Sequence, residues 1–162
     1  MNEKEMFVQS WEREFQTTLK TLKAFPAERL DLKPHDLSRS AKELLWIFVS
    51  EEKVIVDGVV KGAIDFMSMP NPPATKQEII SAYETSHLVN VNKVKNLSET
   101  EWNSAMPFMV APKQMSKVRR ADILWMALMD SVHHRGQLTV YLRLAGAKVP
   151  SIYGPTADEP WM

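Results

Sequence analysis

The 162-residue chain contains no cysteine. That absence removes disulfides, thiolate zinc sites and cysteine nucleophiles together, and it fits a cytoplasmic protein without requiring one. Excess charge of either sign is missing too. Lys and Arg total 20 and Asp and Glu total 20, so the formal net charge is 0. A neutral chain lacks the footprint of a non-specific nucleic-acid binder and of a polybasic membrane binder. Long apolar runs are absent as well. Residues 44–49 are the kind of stretch that soon meets charge, well short of the ~20 residues a membrane helix needs. The opening Met1-Asn2-Glu3-Lys4-Glu5 has no apolar leader character. Neither nucleic acid nor membrane is expected as a partner, and the expected location is the cytoplasm. Glycine is scarce, at 5 residues, and the 10 prolines fall outside the periodic segments, which favours helices.

What remains is ordinary globular material, 44% apolar and 25% charged, expected to form one domain over residues 1–162. Four long helical patterns stand out, with no convincing strand. The first covers residues 4–25, where Phe7, Trp11, Phe15, Leu19 and Leu22 recur at helical spacing until Pro26. The second starts at Ser38 or Ser40 and ends before Gly62, with Leu44, Ile47, Phe48, Ile55 and Val59 on one stripe. Glu51 falls inside that stripe. The third opens on the capping box Thr75-Lys76-Gln77-Glu78 and carries Ile80, Tyr83, His87, Val91 and Val94 on one face. The fourth covers residues 116–145, with Ala127, Ser131, His134, Leu138 and Tyr141 on one face and Asp130 at its edge. Residues 27–37 and 98–114 read as connections long enough to cross the end of a bundle. The pattern is therefore an all-α four-helix bundle with an irregular tail from Val149 to Met162.

Asp130 and His134, four residues apart, stack on one helix face. A carboxylate and an imidazole at that spacing suit zinc, nickel or iron. Taken alone, the same spacing more often marks a plain hydrogen-bonded pair, in which Asp130 orients or charges His134. Glu51 on an apolar stripe must be paired or reach the rim, because burying it alone is costly. Its neighbour Glu52 reads as solvated, and His87 as a satisfied core histidine. His133 lies about 100° around the helix from His134, and His35 sits in a connection. Lys113, Lys117, Arg119 and Arg120 form a basic cluster at the expected head of the fourth helix, read as a solvated patch or a small-anion site.

The run His133-His134-Arg135-Gly136-Gln137-Leu138-Thr139-Val140-Tyr141-Leu142-Arg143, with Ala145-Gly146-Ala147-Lys148-Val149-Pro150 and Tyr153-Gly154-Pro155 after it, resembles the C-terminal signature of the DinB/YfiT-like family. Ser40-Ala41-Lys42-Glu43-Leu44-Leu45-Trp46 resembles that family's second helix. The resemblance implies an up-down-down-up bundle, commonly a homodimer, with a three-histidine metal site. It also implies a metal-dependent transferase or isomerase that uses a small thiol of the bacillithiol or mycothiol type against an electrophile. The carry-over is partial. His134 matches the second histidine of the family's HxxxH pair, Asp130 stands where the first would be, and Ile47 stands where the helix-two histidine would be. Glu51, one turn from Ile47, is the substitute ligand. Two carboxylates and one imidazole lean toward manganese or iron over zinc, with nickel also open. The alternative implied is a metal-free member that binds a small ligand or serves as a dimeric scaffold.

Overall fold

Hydrogen-bonding side chains set the starts of the first four helices, while the fifth, of 25 residues, begins without a side-chain cap. In the computed structural model, which describes residues 1–162, α1 spans Glu3–Ala24, α2 Ala41–Lys61 and α3 Lys76–Lys95. A short α4 (Glu99–Asn103) leads into β1 (Ala105–Ala111), β2 (Gln114–Arg119) and α5 (Arg120–Leu144). Asn2, Ser40, Thr75 and Ser98 each form a reciprocal capping box with the glutamate three residues on. Gly62 ends α2 with φ +84, a left-handed value that glycine adopts without strain.

Packing fixes the topology. α1 lies against α3 and α5, and α2 lies against the same two helices, so α1 faces α2 across the diagonal. Lys76 at the head of α3 donates to the carbonyls of Lys23 and Phe25 at the end of α1, at 3.0 and 2.7 Å. Asp57 and Lys93 pair near the ends of α2 and α3, at 2.6 Å. Arg119, just before α5, grips Glu3 at the head of α1. These contacts make α2 and α3 parallel, with α1 and α5 running the other way. The bundle is up-down-down-up, as the resemblance implied.

The stretch 98–119 departs from expectation. Instead of a loop and an early helix, it forms α4 and an antiparallel hairpin, and α5 begins at Arg120. Met106 pairs with Val118 and Phe108 with Ser116. Met106, Phe108 and Val118 pack on the core formed by Phe7, Trp102 and Leu124. The alternation is masked in the sequence because Met109 and Val110 are apolar yet half exposed, so the period of 2 does not stand out. The basic cluster is dispersed in the same region. Lys113 occupies the hairpin turn at φ +61, Lys117 lies on β2, and Arg119 is held by Glu3 and Asp122. Arg120, the first residue of α5, keeps its Nε and Nη1 buried without a partner, so the four residues do not form one solvated patch.

The core has two apolar layers. One gathers Phe15, Leu22, Leu44, Ile47, Tyr83 and Leu138. The other gathers Phe7, Trp11, Val56, Val91, Trp102 and Leu124. Between them α2, α3 and α5 place Glu51, Glu52, His87, Asn90 and His134 at one level. The tail is tied down by Arg135, which is 1% exposed. Its guanidinium pairs with Glu14 at 2.7 Å and donates to Thr18 and to the hydroxyl of Tyr153.

Gly58 lets the chain after α2 return against the helix. A Cβ there would come within 2.7 Å of the Ile64 Cα, a backbone atom that cannot swing aside. Alanine normally stabilises a helix interior by ~1 kcal/mol over glycine. Gly58→Ala should instead destabilise by about 2 kcal/mol through overpacking, seen as a lower melting temperature. A rise would refute this close packing.

Candidate metal centre

Residues 50–52, 87–90 and 131–134 interrupt the apolar stripes of their helices at matching heights. Antiparallel packing of α2 on α5 then brings Glu51 to His134. His134 Nε2 lies 3.7 Å from Glu51 Oε2 and 3.4 Å from Asp130 Oδ2. One donor atom from each of the three residues falls within 4.8 Å of the others. The group grades outward: the side chain of His134 is 8% exposed, Glu51 28% and Asp130 52%. All three sequence candidates are thus brought together. Ile47 is buried and lines the same small cavity, of about 40 Å³, as His134 and Glu51. That is where the resemblance put it, and it offers no donor atom.

The histidine is oriented from behind. Its Nδ1 sits 3.1 Å from Gln137 Oε1, and Gln137 Nε2 lies 3.0 Å from His133 Nε2. An amide that donates to His133 presents its oxygen to His134, so Nδ1 carries the proton and donates. Nε2 is then left as a lone pair aimed at the two carboxylates. Such an outer hydrogen bond is the usual means of fixing a ligating imidazole. His133 itself faces away from the group, as its helical offset requires.

Glu51 is the strained member. Burial, and after it the nearby Asp130 carboxylate, raise its pKa from 4.5 to about 7. Both causes disfavour a second negative charge in a confined place.

Glu52, read from the sequence as solvated, is instead central and largely shielded, with its side chain 10% exposed. It accepts from Trp11 Nε1 at 3.2 Å and from Asn90 Nδ2 at 3.1 Å, and His87 Nδ1 donates to it at 3.2 Å. His87 stacks on Phe15 with centroids 3.9 Å apart. The only hint in the sequence was a set of polar groups, Trp11, His87 and Asn90, on inward faces of two other helices. His87 is therefore a core residue as expected, although its Nε2 finds no partner. His35 lies exposed in the first connection and accepts from the Leu37 amide.

A model of the DinB family matches residues 1–161. The chain belongs to the DinB family. Among DinB-like proteins of known structure, one from Bacillus cereus ATCC 10987 superposes with a TM-score of 0.78 at 23% identity, covering 92% of this chain and 97% of that one. The DinB-like protein YjoA of Bacillus subtilis superposes with a TM-score of 0.75 at 20% identity, covering 91% and 97%. In sequence the chain is similar to the uncharacterized protein YrdA of Bacillus subtilis strain 168, 26% identical over 156 residues, or 94% of this chain and 89% of YrdA. These likenesses carry the fold of the DinB bundle to this chain.

The raised Glu51 carboxyl has a consequence for stability. Unfolded, it ionises near 4.5; folded, it keeps its proton up to about 7. Between those values the folded chain binds more protons, so this residue's contribution to stability falls as pH rises through that window. In metal-free protein, Glu51→Gln should match the parent below pH 4.5 and gain about 1–3 kcal/mol above pH 7. Thermal melts across that range read the difference. An equal shift at every pH would refute the assignment.

Proposed function

We propose that this DinB-family chain is a divalent-metal-dependent enzyme that activates a small thiol for attack on an electrophile, with Glu51, Asp130 and His134 as its protein ligands. The observation that supports it is the convergence of three donor atoms within 4.8 Å from two helices, beside an open cleft. Three protein ligands leave positions free for a substrate atom, the arrangement typical of catalytic sites. The donor chemistry fits a cation. Two carboxylates that repel each other are relieved by positive charge between them, and Glu51 gives up its proton as it ligates. Gln137 holds the His134 ring, and the apolar walls keep competing water few. When bound, a divalent cation supplies Lewis acidity that favours the thiolate over the thiol. By ligand hardness, two carboxylates with one imidazole lean toward manganese or iron over zinc.

We further propose that the protein is a cytoplasmic homodimer. No helix is long and apolar enough to cross a membrane, which is compatible with that location. A second reading, a metal-free member whose triad is a closed hydrogen-bonded cluster, is favoured by Ile47, which supplies no fourth donor.

Metal-free protein titrated with manganese, iron, nickel and zinc separates the two. The enzyme reading expects one ion per chain and a higher melting temperature, with stabilisation approaching ~2.7 kcal/mol at a hundredfold excess over Kd. Asp130→Asn and His134→Ala should lose it. No ion and no shift with any of the four metals would favour the metal-free reading. Ile47→His, placed on the same cavity wall as His134, should tighten zinc binding at least tenfold by adding a ligand. An unchanged affinity would mean that position 47 does not face the ion.

A further inference from the structure

Outside the triad lies a second, larger space. A cleft of about 240 Å³ opens on the other side of Glu51 and Asp130. Three unrelated segments wall it: Phe66 from the turn after α2, Phe108 from β1 and Met126 from α5, with Ile55 beneath. Phe66 and Met126 are 41% and 40% exposed. These are large apolar groups left facing water in a concave place. Apart from Glu51 and Asp130, no side chain lining the cleft carries a nitrogen or an oxygen. The inner cavity, at about 40 Å³, is too small for a ring, since an apolar cavity of ~150 Å³ is what takes up benzene.

We propose that this cleft is a binding subsite for the apolar part of a small molecule, one aromatic ring or a branched alkyl group of that size, whose polar head meets the Glu51–Asp130–His134 group. The inference rests on the metal reading for the head and on the cleft alone for the tail. A sugar or a charged tail is disfavoured, because the walls offer it no hydrogen-bond partner and desolvation would go uncompensated. A ring filling the cleft gains from removal of apolar surface on both sides. The two phenylalanine walls come from the hairpin and the post-α2 turn, so these non-helical additions shape the cleft together with Ile55 and Met126 of the helices that hold the head.

Metal-loaded protein titrated with acetohydroxamate and benzohydroxamate tests this, because the two share one metal-binding head and differ in methyl against phenyl. Benzohydroxamate should bind at least tenfold more tightly. Phe66→Ser and Met126→Gln, both at partly exposed positions, should bring that ratio toward one while acetohydroxamate binding stays unchanged. Equal affinities, or a ratio that survives both substitutions, would overturn the subsite and leave the metal reading intact. If the chain takes up no metal, or if neither hydroxamate binds the loaded protein, toluene titrated into metal-free protein decides the cleft. A saturable NMR shift of the Met126 methyl supports the subsite, and its absence overturns it.

Discussion

Carboxylates inside a helical bundle need partners, and the site is organised around that requirement. Glu51 and Glu52 are neighbours in α2 and point into the same waist between two apolar layers. Glu52 is answered by three donors from two other helices. It ties α1 and α3 to α2 and makes the waist a fixed structure. Glu51 accepts no hydrogen bond from a protein cation; it faces an imidazole and a second carboxylate, with the Arg39 charge only partly offsetting them. One charge is therefore satisfied by the protein and the other is left asking for a cation or a proton. That inequality separates a structural network from a reactive one.

The topology makes the inequality possible. The two long connections cross diagonals, so α2 is flanked by α3 on one side and α5 on the other. Glu52 can face α3 while Glu51, one residue and about 100° further round, faces α5. A simple up-down bundle would change which helices flank α2. The second connection does more than cross. Its hairpin delivers Phe108 to the edge of the triad, and the close return of the chain at Gly58 sets the path toward Phe66.

The tail follows the same logic on the adjoining face of α5. Arg135, adjacent to His134, points to α1 and closes on Glu14 and Tyr153. A buried guanidinium with its donors matched is a firm anchor, because removing a partner leaves a charge unsolvated. The helix that presents His134 is thereby held against α1 as well as α2, which restricts the drift of the imidazole.

Much of this was legible beforehand. The four long helices, the start near Ser38 or Ser40, the box at Thr75, the stop at Gly62 and the inward faces of Ile47, Glu51 and His134 follow from contacts within a turn or two of the same chain segment, and such contacts are written in the spacing of residues. The hairpin was hidden because its apolar residues do not alternate cleanly. Glu52 was misread because nothing near it in the chain reveals that Trp11, His87 and Asn90 will converge on it. Sequence alone determined which residues form helices and which stripe of each turns inward. Only the tertiary structure decided that Glu51 meets His134 while Glu52 meets His87, since the rotation and height of one helix against another are set by the packing of whole surfaces, not by any local run of residues.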